Sequence, residues 1–401
     1  MEFVPTWQVT FLCGLATWVV ISSVLNLTHL IRSLIQPWVC RRVDSGTGFV
    51  LRVQKWKHWS LDVFFSLLSC VVSVPFYTGF LPLLFWSGHV KLARQITLLL
   101  AFCDYIGNCL KDVVSAPRPS CPPVQRITAT KDEEENAQEY GLPSSHTLNT
   151  VCLSGYMLYY ILSQDQNRDG FLAFSGFSAV CLAVVLTGLG RIYLGMHSLI
   201  DVFGGLLMGI LILGFWLSVS EFIDSFVVTG RNVTYFWSAL SFLMGFAYPT
   251  PEFPTPSFEF HTCFNGVALG IVAGVNQSYH QFHHADVPSL FSQLPFPHFI
   301  GRVLVGIPTI LLVKLCSKAL AKRIVPLALY MTRITIRSSS YIPSLNKKAG
   351  KPKNSGCLQN LFFLSSMESV DVDTPIRFLQ YAGLAWSVVD LAPALFSRMN
   401  L

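Results

Sequence analysis

Apolar residues gather into ten long windows, near residues 8–31, 59–86, 95–113, 146–163, 171–189, 198–219, 233–249, 260–276, 299–320 and 376–395. Several approach or exceed the roughly 18 apolar positions that let a helix cross a bilayer. The pattern predicts an all-α, polytopic transmembrane bundle of about 8–10 spans. Two polar stretches interrupt it. "APRPSCPPVQRITATKDEEENAQEYGLPSSH" follows the third window, and its prolines and acidic run predict a solvated loop. "RSSSYIPSLNKKAGKPKNSGC" precedes the last window and predicts a flexible basic linker, near residues 333–375. The expected organisation is an N-terminal span and basic loop over residues 1–58, a core over 59–220 and a C-terminal transmembrane region over 221–401.

Composition agrees. Of the 401 residues, 52% are hydrophobic and only 12% charged, against about 25% charged in soluble domains. The net charge of +6 fits basic loops retained on the cytosolic side. No long arginine-rich or aromatic-interleaved run points to nucleic acid. Eleven cysteines are scattered without a C-x-x-C pair, which predicts apolar packing in place of a zinc site or disulfide framework. The first window is long enough to stay as an anchor, with no cleaved signal peptide. Arg32, Arg41, Arg42, Arg52, Lys55 and Lys57 predict a cytosolic loop between the first two windows. Window 59–86, with Pro75 near its middle, is either a single pass or a re-entrant hairpin. Charge counting favours the hairpin, which makes the 114–145 loop luminal.

Three clusters carry chemistry. In "GRIYLGMHSLID", residues 190–201, His197 and Asp201 are four apart and share a face if helical. A carboxylate there can accept the Nδ1 proton and leave Nε2 as a nucleophile or base. Arg191 joins them only if the chain bends, which Gly190 and Gly195 permit. In "KDVVSAPRP", Lys111 ends a window and Arg118 follows seven residues later between Pro117 and Pro119, which stiffen its approach. In "GLPSSHT", Pro143 and Ser144 stand like a helix start, whose free N–H groups make an anion site. Ser144 adds a hydroxyl, Ser145 and His146 add backbone N–H groups, and the imidazole of His146 can act as a general acid. Each cluster alone has a plain alternative: a satisfied His–Asp pair, a snorkelling lysine with an interfacial arginine, or simple serine capping. Together they lie on one membrane face and supply what a phosphate monoester needs: charge neutralisation, an in-line nucleophile and an acid for the leaving oxygen.

Lys-x6-Arg-Pro, Pro-Ser-x-His and Arg-x5-His-x3-Asp, in that order over residues 111–201, resemble the signature of the type 2 phosphatidic acid phosphatase and vanadium haloperoxidase superfamily. The surrounding text, "KDVVSAPRPSCPPV" and "EYGLPSSHT", is similar to its sphingoid-base phosphate phosphatases. The resemblance implies that His197 attacks phosphorus to give a phosphohistidine, that Asp201 orients it, and that His146 protonates the leaving alkoxide and then activates water. It assigns phosphate binding to Lys111, Arg118, Ser144, Ser145 and Arg191, with no metal or other cofactor. Two positions depart from the superfamily pattern: Ser145 stands where glycine is frequent, and Gly190 where serine often precedes the arginine.

The function expected is metal-independent dephosphorylation of sphingoid long-chain base 1-phosphates, by a multi-pass enzyme of the endoplasmic reticulum membrane with a luminal site. Its partners are then the lipid substrate and the bilayer, with no nucleic acid. Phosphatidate or a polyprenyl (di)phosphate is the alternative substrate. A lipid transporter or scrambler is the alternative class, but its path needs polar positions along several spans, and here charge gathers at one face. His280, His283, His284 and Asp286 in "HQFHHAD" have metal-ligand spacing yet lie in a proline-flanked segment expected to be a loop. Asn232 and Asn276 open N-x-[ST] sequons close to apolar windows, where glycosylation is often impractical. The run "NKKAGKPK" reads as solvated linker ahead of an anionic-headgroup contact.

Overall fold

All ten windows fall on helices in the computed structural model, which describes residues 4–128, 130, 133–134, 137–164, 170–253, 255–283, 296–331, 336–337 and 370–401. Thirteen α-helices are described: α1 Thr6–Val24, α2 Leu27–Gln54, α3 Trp59–Cys70, α4 Val74–Trp86, α5 Val90–Val114, α6 Ser145–Gln164, α7 Gly170–Tyr193, α8 Leu199–Thr229, α9 Val233–Ala247, α10 Ser257–Ser278, α11 Phe296–Met331, α12 Asp373–Trp386 and α13 Ala392–Arg398. The chain is a polytopic membrane protein. Six helical segments are long and apolar enough to cross a bilayer, or seven if the bent pair α3–α4 is one span. The windows at 95–113, 146–163 and 233–249 form helices that fall short of that test. α5 carries Lys91, Arg94, Asp104, Lys111 and Asp112, α6 is rich in hydroxyl residues, and α9 is only 15 residues long.

The chain divides into two units. Residues 32–222 with 285–296 make one; residues 1–31, 223–284 and 297–401 make the other. In the first, α7 and α8 turn Phe174, Phe177, Leu182, Phe203, Leu207 and Phe215 outward while α5 buries Arg94, Gln95, Asn108, Lys111 and Asp112. Apolar outside and polar inside is the arrangement a lipid solvent selects. α8 lies close against α6 through Gly205 and Gly209; a Cβ at Gly205 would stand 2.5 Å from the Ser144 carbonyl oxygen. Small residues four apart are how helix backbones approach in membranes. The α3–α4 bend of 54° has a local cause: Ser73 starts a new helix by accepting the Phe76 N–H at 3.3 Å, with Pro75 in its first turn.

Residues 32–57, expected as a basic loop, are mostly helix α2. Val39, Val43 and Val50 repeat at helical spacing and are buried, which outweighs the arginines on the other faces. The ends of α2 are tied to their neighbours. Arg32 donates to the carbonyls of Asp112 at 2.8 Å and Val113 at 3.2 Å, and Gln36 to that of Ser115 at 2.8 Å, satisfying the α5 C-terminus. Gln54 donates to the carbonyls of Gln125 at 2.6 Å and Tyr193 at 3.0 Å.

In the second unit, Gly266, Gly270 and Gly274 of α10 let α12 and the π-helical turn after it come close. Trp7 packs on Phe226 and Phe236, and Arg377 pairs with Glu259 at 2.8 Å. Within the segment expected as linker, Ile336–Arg337 pairs in parallel with Val370–Asp371 and α12 begins at Asp373; "NKKAGKPK" lies outside the described residues. So do His284 and Asp286, while His283 donates from Nε2 to the Val389 carbonyl at 2.6 Å. The amide of Asn276 donates to the Val227 carbonyl at 3.1 Å, and Asn232 precedes α9 with φ 58° and no side-chain bond to its first turn. None of the ten described cysteines forms a disulfide.

Candidate active site

Lys111 stands in the last turn of α5, where Ser115 ends the helix in the left-handed conformation with φ 50°. Arg118 follows in the proline-flanked segment. Its guanidinium donates to the Met196 carbonyl at 2.7 Å, the Glu139 carbonyl at 3.0 Å and His197 Nε2 at 3.0 Å. An arginine N–H can only donate, so Nε2 accepts, and its lone pair faces the cations. Burial, then the charges of Arg118, Arg191 and Lys111, hold the imidazole of His197 well below the ordinary histidine range, so it is neutral. Burial also brings Arg118 down to about 10, against the upward pull of Glu139.

Arg191 lies in the last turn of α7, and the bend after it comes from Gly195 with φ +71°. A Cβ there would meet the Gln125 carbonyl oxygen at 2.3 Å, so only glycine fits. The turn returns the N–H of Met196 to the Arg191 carbonyl at 3.0 Å and delivers His197 to the site. Gly190, by contrast, stays helical and packs against Phe65.

His197 precedes α8, so the shared helical face expected for His197 and Asp201 is not how they meet. Asp201 is in the first turn and its Oδ2 accepts the Ser198 N–H at 2.7 Å, one of the two bonds of a capping box. That oxygen is 3.7 Å from His197 Nδ1, beyond hydrogen-bond reach. Among the described residues, Nδ1 of His197 and Oδ1 of Asp201 have no hydrogen-bond partner. The Ser144 N–H donates to the Asp201 carbonyl at 3.0 Å, and the Ser144 carbonyl accepts the first bond of α6 from Leu148. Ser145 and His146 open α6, both half-buried.

Among its described residues, the 115–144 segment is solvated only in part, with Pro117, Ser120, Cys121, Gln125 and Glu134 exposed. Val124, Glu133, Ala137, Glu139 and Tyr140 are buried, because the carboxylates have cations to meet. Lys111 Nζ donates to Glu139 Oε2 at 2.5 Å, and Arg118 is 3.7 Å from the same oxygen. Arg191 donates to Glu133 at 2.9 Å and to Ser69 Oγ at 2.5 Å. Ser69 donates in turn to Glu133 and lies 3.4 Å from His146 Nε2. Ser69, Glu133 and Glu139 therefore join the site beyond the residues singled out from sequence. Arrangements of buried cations, a neutral imidazole with its lone pair inward and a second imidazole suit transfer of a phosphoryl group.

Comparison with known proteins points the same way. The chain is 62% identical to lipid phosphate phosphatase delta of Arabidopsis thaliana, over all of this chain and 98% of that one. It is 27% identical to a dihydrosphingosine 1-phosphate phosphatase of Schizosaccharomyces pombe, over 94% and 92% of the two chains. Identity to sphingosine-1-phosphate phosphatase 1 of Rattus norvegicus is 26%, over 90% and 77%. No solved structure matches. The PAP2 superfamily profile covers residues 92–223, which hold all three motifs and the glutamates between them, and with a full-length relative at this identity the chain belongs to the PAP2 superfamily.

Proposed function

We propose that this chain hydrolyses sphingoid long-chain base 1-phosphates through a phosphohistidine at His197. The enzyme is a lipid phosphate phosphatase, in keeping with its relatives. The observation that carries the mechanism is the acceptor state of His197 Nε2 against the donor-only guanidinium of Arg118, 3.0 Å away. In the first half-reaction Nε2 forms the N–P bond while the ester P–O bond breaks, and His146 gives a proton to the departing alkoxide. In the second, His146 takes a proton from water as its oxygen attacks phosphorus, and the N–P bond breaks to release phosphate. Lys111, Arg118 and Arg191 exchange carboxylate for phosphate oxygens, with the Ser144 hydroxyl and the Ser145 N–H at the α6 start. Asp201 holds the Nδ1 proton once a shift of a few tenths of an ångström closes the 3.7 Å gap. The cations stand against the phosphate oxygens in the place that metal ions take in other phosphatases.

The substrate class rests on relatives named for sphingoid phosphates. The test is phosphate release by purified protein in detergent with EDTA, from sphingosine 1-phosphate and from phosphatidate. Faster release from the sphingoid substrate, unaffected by EDTA, is expected, with an acid-labile phosphoenzyme after alkaline quench. Preference for phosphatidate would overturn the substrate class, and loss of activity in EDTA the metal-independent route.

By the same reading the enzyme works in the endoplasmic reticulum with its site facing the lumen. Cys121, exposed beside Arg118 in sequence, reports on this. In a variant that keeps Cys121 and replaces every other cysteine, the exposed Cys13, Cys181 and Cys316 included, Cys121 in sealed microsomes is expected to react with an impermeant maleimide only after permeabilisation. Labelling of intact vesicles would put the site on the cytosolic face.

A further inference from the structure

The cations of a phosphate site are here matched by buried carboxylates. Lys111 and Arg118 face Glu139, Arg191 faces Glu133, and Asp201 stands beside His197. Among these described groups, three positive charges thus meet three negative ones before any phosphate dianion is added. A dianion entering this cluster leaves two uncompensated negative charges among buried side chains, which is costly. A ligand that carries its own cation next to the phosphate relieves one of them. Plain phosphomonoesters bring no such group.

The two glutamates differ in position. Glu139 lies on the Lys111–Arg118 side, with its own carbonyl also held by Arg118. Glu133 is one hydroxyl away from His146: Ser69 donates to Glu133 and stands 3.4 Å from His146 Nε2. Its side chain is 11% exposed against 5% for Glu139, so it is nearer the edge of the site. If His146 protonates the leaving oxygen, Glu133 borders the leaving-group side, where the substituent on the carbon next to the ester carbon is placed.

We propose that Glu133 is a specificity-determining residue, whose carboxylate leaves Arg191 to the incoming phosphate and pairs with an ammonium borne on the carbon adjacent to the phosphorylated carbon of the substrate. This rests on the sphingoid-base reading and gives it a physical cause. An N-acylated or amine-free phosphate lipid lacks the cation and leaves Glu133 buried with an unmatched charge.

The test compares kcat/KM for sphingosine 1-phosphate and N-acetylsphingosine 1-phosphate, which share every group at the ester. Wild-type enzyme is expected to favour the free amine by about tenfold or more, the worth of one charge-assisted pair. Glu133→Gln is expected to lose at least about tenfold more on sphingosine 1-phosphate than on the N-acetyl substrate, collapsing the ratio. Glu139→Gln should lower both together. Equal rates on the two substrates by wild type would overturn the proposal without any variant, as would equal losses in Glu133→Gln or a ratio that collapses only in Glu139→Gln. Failure of wild type to hydrolyse either substrate would instead overturn the sphingoid-base reading beneath it.

Discussion

Replacement of His197 by alanine lowers kcat by about 10⁴- to 10⁶-fold on every lipid phosphate the enzyme accepts, the scale seen when a covalent nucleophile is deleted. The expectation follows from its placement. His197 is fully enclosed, neutral, and turns Nε2 toward Arg118 within a cluster of three cations. No other described imidazole combines these properties, since His146 opens a helix beside Ser69 and the remaining cations already have carboxylates. The measurement is single-turnover phosphate release by protein shown to be folded by its elution and circular dichroism. Residual activity within about tenfold of wild type would assign the attacking atom elsewhere.

Arg118→Lys is expected to cost about 10²- to 10³-fold in kcat although charge is kept. The guanidinium reaches the Met196 carbonyl, the Glu139 carbonyl and His197 Nε2 at once, in three directions from one planar group. An ammonium on a flexible stem cannot span them, so lysine loses both the loop contacts and the fixed direction toward the nucleophile. Because the fork positions the reacting groups, kcat should fall far more than KM rises. A loss below about tenfold, or one confined to KM, would show that Arg118 only adds charge.

The three motifs were legible because their chemistry needs specific residue types at fixed spacing, and that spacing survives in a single sequence. Helices inside the bilayer were legible too, since lipid demands long apolar runs. What stayed hidden had a common cause: polar residues whose partners are remote in sequence. Glu133 and Glu139 belong to an acidic run that looks solvated until Arg191 and Lys111 are brought to it. Their position between Arg118 and Pro143, inside the motif-bearing segment, is the one sequence signal that favoured a role. Ser69 gave less, only its place before the break at Ser73. α2 was obscured by its arginines, though Val39, Val43 and Val50 carried the helical period. The His197–Asp201 spacing suggested a helical face, whereas the turn at Gly195 starts α8 after the histidine.

α2 has a consequence for how the enzyme meets membranes of different thickness. Lys111 and Arg191 belong to separate helices, and helices accommodate hydrophobic mismatch by tilting independently. Here one helix holds both ends: Arg32 and Gln36 grip the close of α5, and Gln54 grips the close of α7. Tilt of α5 or α7 must then carry α2 with it, so a thinner or thicker bilayer moves the cations as a set. The distance between them is fixed by protein, not by lipid.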